Sequence, residues 1–264
     1  MPSASTDSAA TGDRPTAAVD RSLSIVIPAY NEAGNILGTL DNVTRALAPL
    51  DLPHEILVVD DGSTDGTGAL VRANLDRFPG VQVLVNEGNM GFGWSYRRGV
   101  TEARLAHVVM VHGDNAWCSD TLRDLFSHIG EADIIVGYTR HMWQSRSWQR
   151  TVISKSFTFA VNLLTRRHLQ YYNGLQVHLS PVLKSLRIES TGYGFQAEVL
   201  VKCLHATRTL VEVPMDLTER VEGVSKAFRM KNFVDVFKTL KVMWDVERAE
   251  RARAAGAPTG MGVV

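Results

Sequence analysis

The segment Val108-Val109-Met110-Val111-His112-Gly113-Asp114-Asn115 constrains this chain more than any other. Four consecutive apolar residues, three of them β-branched, make a strand with no polar face, which needs cover on both sides of a sheet. The strand runs into a carboxylate, Asp114, beside Gly113. Ligands of α/β proteins gather at the carboxyl ends of the strands, so Asp114 stands where chemistry takes place. One such Asp is equally explained by an Asx turn. Two other segments end the same way: Leu23 to Pro28 leads into Ala29-Tyr30-Asn31-Glu32, and Glu55 to Val59 ends in Asp60-Asp61.

Between these strands the spacing turns helical. Ile36, Leu37, Leu40, Val43 and Leu47 share one face, and Gly62-Ser63-Thr64-Asp65 supplies turn and N-cap chemistry for a helix carrying Leu70, Val71 and Leu75. Val81 to Val85 predicts a third strand, followed by a glycine-rich turn from Asn86 to Gly93 and a helix reaching about Leu105. A short helix near Asp120 to His128 and a strand over Asp133 to Tyr138 continue the alternation. Alternating strands and helices predict an α/β, Rossmann-like domain whose sheet is mostly parallel and flanked by helices. Gly88, Gly91 and Gly93 follow the third strand rather than the first, so their spacing is not the dinucleotide-binding fingerprint. Paired carboxylates at strand ends suit another ligand: they accept from base and ribose donors and hold a divalent cation against a diphosphate.

Residues 1–21 hold almost no large apolar side chain and predict a disordered tail, as do residues 251–264. One domain is expected over 22–230, then an amphipathic helix over 231–250. That helix places Phe233, Val236, Phe237, Leu240, Met243 and Trp244 on one stripe and Lys231, Lys238 and Lys241 opposite. It suits docking on the domain, a partner, or an anionic membrane surface. No apolar run approaches the roughly 18 residues a membrane span requires, and the N-terminus lacks the pattern of a secretory signal. Basic and acidic residues balance at 28 each, which gives no global attraction to nucleic acid. Cys118 and Cys203 have neither metal nor redox spacing and fit a reducing compartment. A cytoplasmic protein, soluble or held peripherally at the inner face of a membrane, is expected; oligomeric state leaves no signature.

Ser24 to Glu32 (SIVIPAYNE), Ile56 to Asp65 (ILVVDDGSTD), Asn86 to Gly99 and Asp114, in that order, resemble the nucleotide-binding half of family 2 glycosyltransferases with the GT-A fold. Gly192 to Glu198, Glu212-Val213-Pro214, and Arg220, Gly223, Ser225 and Lys226 resemble the polyprenyl-phosphate sugar transferase branch, which includes dolichol-phosphate mannose synthase. The resemblance covers about residues 23 to 230. It implies an inverting glycosyltransferase that moves a sugar from a GDP-mannose or UDP-hexose type donor to a polyprenyl-phosphate-like acceptor. Pro28, Tyr30 and Glu32 would line the nucleoside pocket, Asp60 or Asp61 would contact base or ribose, and Asp114 would hold Mg²⁺ or Mn²⁺ on the diphosphate. Arg220, Ser225 and Lys226 would form a mobile loop closing on that diphosphate. Singly, each has a plainer explanation: Pro28 and Glu32 suit a strand end and a helix cap, Asp60 a turn, Lys226 a solvated surface.

The chain departs from the family pattern at His112, where the first carboxylate of an Asp-x-Asp motif usually stands. Imidazole prefers softer metals than Mg²⁺, so His112 is a metal ligand, a hydrogen-bond donor beside the metal, or a packed histidine. A second departure lies at Tyr171-Tyr172-Asn173-Gly174-Leu175, where the branch commonly has an Asp before Ser-Gly-Phe. For the acceptor, the resemblance implies that Arg140, Arg150 and Ser154 bind a phosphate; Arg150 and Ser154 are one helical turn apart and Arg forks match phosphate oxygens. An ordinary solvated helix face explains the same charges. A lipid phosphate is already ionised near neutral pH, its second pKa being about 6, and needs no general base. A hydroxyl on a small-molecule or natural-product acceptor would need one, and Glu198 is the candidate, unless it is a structural partner for Arg or Lys. A non-catalytic nucleotide-sugar-binding subunit is the third reading, motivated by the missing first carboxylate.

Overall fold

Strand β1 (Leu23–Ala29) is buried along its whole length and paired at both edges: β2 (His54–Asp60) runs parallel on one side and β4 (His107–Met110) parallel on the other. The computed structural model describes residues 19–140, 148–190, 194–216 and 230–255. With β3 (Val81–Val85), β5 (Ile134–Thr139), β6 (Gln176–Leu179) and β7 (Leu210–Met215), the strands form one sheet in the order β3-β2-β1-β4-β6-β5-β7. The mostly parallel sheet is as the alternation predicts, with one difference. β6 runs antiparallel to both β4 and β5, Leu179 facing His107 and His178 facing Ile134. Its four residues, Gln-Val-His-Leu, alternate polar and apolar, but the polar pair Gln176 and His178 is buried, and so short a run stands out little in the sequence.

Two apolar layers flank the sheet. On one face α1 (Ile36–Leu47), α2 (Thr67–Arg72) and α4 (Ser119–Ser127) cover Ile25, Ile27, Val58 and Val109. On the other, α3 (Phe92–Glu102), α5 (Trp148–Thr165), α6 (Ser180–Ser185), α7 (Phe195–Ala206) and α8 (Met230–Ala254) cover Val26, Leu57, Val59 and Val108. Neighbouring residues of β1 and β2 therefore belong to opposite layers, the period of two that a doubly covered strand imposes. The last helix docks on the domain rather than standing apart: Met243 is buried in the second layer, and His205 Nε2 of α7 lies 2.7 Å from Glu247 Oε1. It also runs to Ala254, beyond the boundary at 250 expected from its stripe. Arg21, expected in the tail, is docked through Nε to the Ile129 carbonyl at 2.8 Å.

Candidate functional site

The strand order reverses between β1 and β4, and a crevice opens at such a switch point outside the carboxyl ends of the strands. The loops that follow β1, β2, β3 and β4 meet there and are stitched together by their polar side chains. Ser63 Oγ accepts the Asn31 N–H at 3.0 Å, Asn31 Oδ1 accepts the Thr64 N–H at 2.8 Å, and Thr67 Oγ1 accepts the Glu32 N–H at 2.9 Å. Asn31 holds φ +56, a left-handed conformation that Asn tolerates better than most residues. Gly62 holds φ +70, and a Cβ there would stand 2.6 Å from the Gly88 backbone, so the second and third loops pack with no room for a side chain.

Within this frame the expected donor-binding residues separate. Tyr30 is exposed at the rim, whereas Pro28 is buried inside β1. Glu32 is half-buried, with Oε2 accepting from Asn35 Nδ2 at 2.8 Å. Asp60 is buried and its Oδ1 accepts the Ser63 N–H at 2.9 Å. Asp61 is buried too and accepts three donors, Asn86 Nδ2 at 2.7 Å, the Met90 N–H at 3.0 Å and the Gly91 N–H at 2.8 Å. Asp61 thus organises the glycine-rich loop that starts α3, which explains why a carboxylate stands there whatever else it touches.

Asp114 is half-buried in the turn after β4, and the residues on each side of it are pinned from α1. Thr39 Oγ1 accepts the Asn115 N–H at 3.0 Å and donates to the Gly113 carbonyl at 3.1 Å, while Asn42 Nδ2 donates to Asn115 Oδ1 at 2.8 Å. Asn115 is left-handed at φ +55, and a Cβ on Gly38 would come within 2.6 Å of its Nδ2. Sequence reasoning missed Thr39 and Asn42 entirely. His112 lies flat against Phe92, ring centroids 5.2 Å apart and planes 12° from parallel, and Phe92 meets Phe195 edge-on at 5.4 Å. Among the described residues no three His, Cys, Asp or Glu side chains gather as a protein-only metal cage. A single carboxylate in a rigid turn fits a hard cation whose other ligands are phosphate oxygens and water, which is how Mg²⁺ is commonly held.

Of the expected acceptor residues, Arg140 lies elsewhere, on the wall of a cavity of about 350 Å³ between the end of β5 and α5. Tyr138, Arg140, Lys155, Phe159 and Asn162 are among its walls, and among the described residues no acidic side chain lines it. Arg140 is held by its backbone, the N–H donating to the Met215 carbonyl at 3.1 Å. Ser154 is half-buried on α5, and Arg150 falls in the same helix, its side chain outside the described residues. Arg220, Ser225 and Lys226 also lie outside the described residues.

The structure does not present Glu198 as a base. It is fully buried on α7, its Oε1 accepting the Glu189 N–H at 2.8 Å and Lys202 Nζ at 2.6 Å, its Oε2 the Ser190 N–H at 2.7 Å. Burial pushes this carboxyl up, but the bonds from Lys202, Ser190 and the backbone outweigh it and hold the group below the usual carboxylate range. A carboxylate so bound anchors the segment before α7.

The model of glycosyl transferase family 2 matches residues 24–189, which span β1 through α6 and the whole crevice. The chain belongs to glycosyltransferase family 2. Polyprenol monophosphomannose synthase of Mycolicibacterium smegmatis is 31% identical over 248 residues, covering 87% of this chain and 89% of that protein. Undecaprenyl-phosphate mannosyltransferase of Micrococcus luteus is 28% identical over 212 residues, covering 76% of this chain and 85% of that one. The crystal structure of Mycobacterium tuberculosis glucosyl-3-phosphoglycerate synthase with Mn²⁺ and UDP-glucose superposes with a TM-score of 0.59 at 20% identity, covering 92% of this chain and 82% of that one. These findings bear out a glycosyltransferase with the GT-A fold.

Proposed function

We propose that this glycosyltransferase moves a hexosyl group from a GDP-mannose or UDP-hexose type donor to a polyprenyl phosphate, with inversion at the anomeric carbon. The observation that carries this reading is the cavity beside α5, which is lined by Arg140 and Lys155 and, among the described residues, by no carboxylate. Cations without a base suit an acceptor that arrives as an anion, because its phosphate oxygen can attack without losing a proton. The burial of Glu198 in its own network supports the same reading, and we assign it to positioning α7. The names of the two mannosyltransferase relatives agree with a lipid-phosphate acceptor.

In this mechanism Tyr30, Pro28, Glu32, Asp60 and Asp61 shape the nucleoside side of the crevice, with Tyr30 the exposed contact surface. Asp114 would hold the divalent cation, Mg²⁺ or Mn²⁺, which when bound neutralises charge on the donor diphosphate. The structural relative was crystallised with Mn²⁺ and UDP-glucose, which supports the use of a divalent metal. His112, its ring fixed against Phe92, serves as a hydrogen-bond donor beside that site rather than as a ligand to a hard cation. Arg220, Ser225 and Lys226 close on the diphosphate and stabilise it as it leaves. Arg140, Arg150 and Ser154 orient the acceptor phosphate for attack from the face opposite the leaving group. Both cysteines are free, which accords with work on the cytoplasmic side of the membrane.

Steady-state kinetics test the acceptor assignment. In Arg140→Ala the KM for short-chain polyprenyl phosphate is expected to rise about tenfold or more while the donor KM stays put. A change confined to the donor KM would contradict the assignment.

A further inference from the structure

Between α3, β6 and the start of α7 lies a second, much smaller cavity with polar groups on its wall. It has about 10 Å³ in which the centre of a water molecule can stand, which is room for one water. Tyr96, Gln176, His178, Phe195 and Gln196 are among its walls, and each of the five is at least nine-tenths buried. The hydrogen bonds around it fix where the protons sit. Gln176 Nε2 donates to the Tyr172 carbonyl at 2.6 Å, which leaves its Oε1 facing His178 Nε2 at 3.1 Å. An amide oxygen only accepts, so His178 carries its proton on Nε2 and presents a bare lone pair at Nδ1. Nδ1 is buried, and no donor among the described residues reaches it. Burial holds the ring down to about 3, so it stays neutral and Nδ1 stays an acceptor. Gln196 directs its Nε2 to the Gly174 carbonyl at 3.1 Å. The Tyr96 hydroxyl is the other donor on the wall, and burial pushes its pKa up, so it keeps its proton.

We propose that one internal water occupies this cavity, donating to His178 Nδ1 and accepting from the Tyr96 hydroxyl, and that Tyr96 and His178 are thereby positioning residues for sugar transfer. Cavities that stay dry are apolar, whereas a buried acceptor left without a donor costs stability that a bound water restores. The space admits nothing larger. What the water holds is the support beneath the crevice. The Tyr96 ring meets Phe195 at 5.6 Å, Phe195 meets Phe92 edge-on at 5.4 Å, and Phe92 lies flat on His112 at 5.2 Å. His112 stands two residues before Asp114. Rings in a close-packed interior do not shift one at a time, so a Tyr96 ring that tips into an unfilled space takes Phe195 and Phe92 with it. The water thus joins β6 to α3, and the four rings carry that restraint through α7 to the turn after β4. The positioning role rests on sugar transfer as such and not on the acceptor assigned above.

A near-atomic-resolution crystal structure of the full chain tests the water itself. One isolated density peak is expected within hydrogen-bonding distance of both His178 Nδ1 and Tyr96 Oη. An empty cavity, or a Tyr96 hydroxyl bonded straight to Nδ1, would overturn the proposal. So would nitrogen-15 spectra in which His178 of the folded protein carries its proton on Nδ1. These two readouts need no turnover, so they stand apart from the acceptor assignment. Steady-state kinetics test the positioning role. Tyr96→Phe removes one hydroxyl at nearly constant shape and is expected to lower kcat about tenfold per nucleotide-binding site, with both KM values within about twofold of wild type. His178→Leu should act in the same direction. His178→Gln, whose amide can accept from the water and donate to Gln176, should recover most of that loss. Full kcat per site in Tyr96→Phe, with only a lower thermal midpoint, would overturn the positioning role. Equal losses in the Leu and Gln variants would remove His178 from it.

Discussion

Thr39 Oγ1 bonds to the backbone on both sides of Asp114, accepting the Asn115 N–H and donating to the Gly113 carbonyl. The carboxylate that would bear the metal is thereby fixed to α1, in a chain whose motif offers His112 where a second carboxylate usually stands. With one acidic ligand, its placement matters more, since a shift of about 1 Å at such a group costs up to about 10²-fold in rate. Thr39→Val keeps the shape and removes the hydroxyl. It is expected to lower kcat/KM by about ten- to a hundredfold and to raise the Mn²⁺ concentration needed for binding in the presence of UDP, read directly by electron paramagnetic resonance. Thr39→Ser should restore both. Normal metal binding in Thr39→Val would show that the clamp is only structural. This residue could not be read from sequence, because its two partners lie 74 and 76 positions away and a threonine inside a helix carries no motif.

At the scale of elements, legibility followed burial. β1, β2 and β4 are near-continuous apolar runs because each is covered on both faces, and each was placed within a residue or two from that run alone. β6 does not stand out, being only four residues long with two buried polar side chains, Gln176 and His178, that bond to each other. The carboxylate-ended loops could be located but not assigned: Asp60 and Asp61 both satisfy backbone donors, a duty that sequence cannot separate from ligand binding. Glu198 shows the same ambiguity resolved the other way. It pairs with Lys202 at 2.6 Å on the same helix, and the Glu189 and Ser190 N–H groups it accepts tie α7 to the segment before it. Glu198→Gln leaves Lys202 with only the longer pair to Glu189, at 3.4 Å, and is expected to cost about 2–4 kcal/mol, seen as a lower thermal midpoint. Per folded molecule, transfer should survive with an unaltered pH profile. Loss of turnover in a variant that remains folded would return Glu198 to the role of base.

At the scale of the whole molecule, the sheet puts donor loops at the β1/β4 switch point and a cationic cavity at the end of β5, with α5 and α8 beside it. The sheet also buries two histidines whose ionisation burial disfavours while folded. Burial holds His178 down to about 3 and lowers His107 as well. Both titrate near 6.5 in the unfolded chain. The unfolded state therefore takes up protons that the native state refuses, and stability falls as pH drops from about 6.5 toward 3, with no contribution from these groups above that window. The lowered carboxyl of Glu198 acts in the same direction at the acid end, since its stabilisation is present above the unfolded value and lost as pH falls through the folded one. Urea unfolding at a series of pH values should show the slope, about 1.4 kcal/mol per pH unit for each proton. His178→Gln should reduce it by about one proton between pH 5 and 6, and an unchanged slope would contradict the assignment.

The central claim is transfer of a sugar to a lipid phosphate, and the direct measurement follows the label. The full chain is incubated with GDP- and UDP-sugars labelled in the sugar, Mg²⁺ or Mn²⁺, and short-chain polyprenyl phosphate, and the organic phase is counted. The expected result is one donor whose sugar enters the lipid fraction as an inverted, acid-labile phosphodiester, with transfer lost in Asp114→Ala and strongly reduced in Arg150→Ala. Donor binding with no label in lipid under either metal, or label appearing on a hydroxyl acceptor instead, would contradict it.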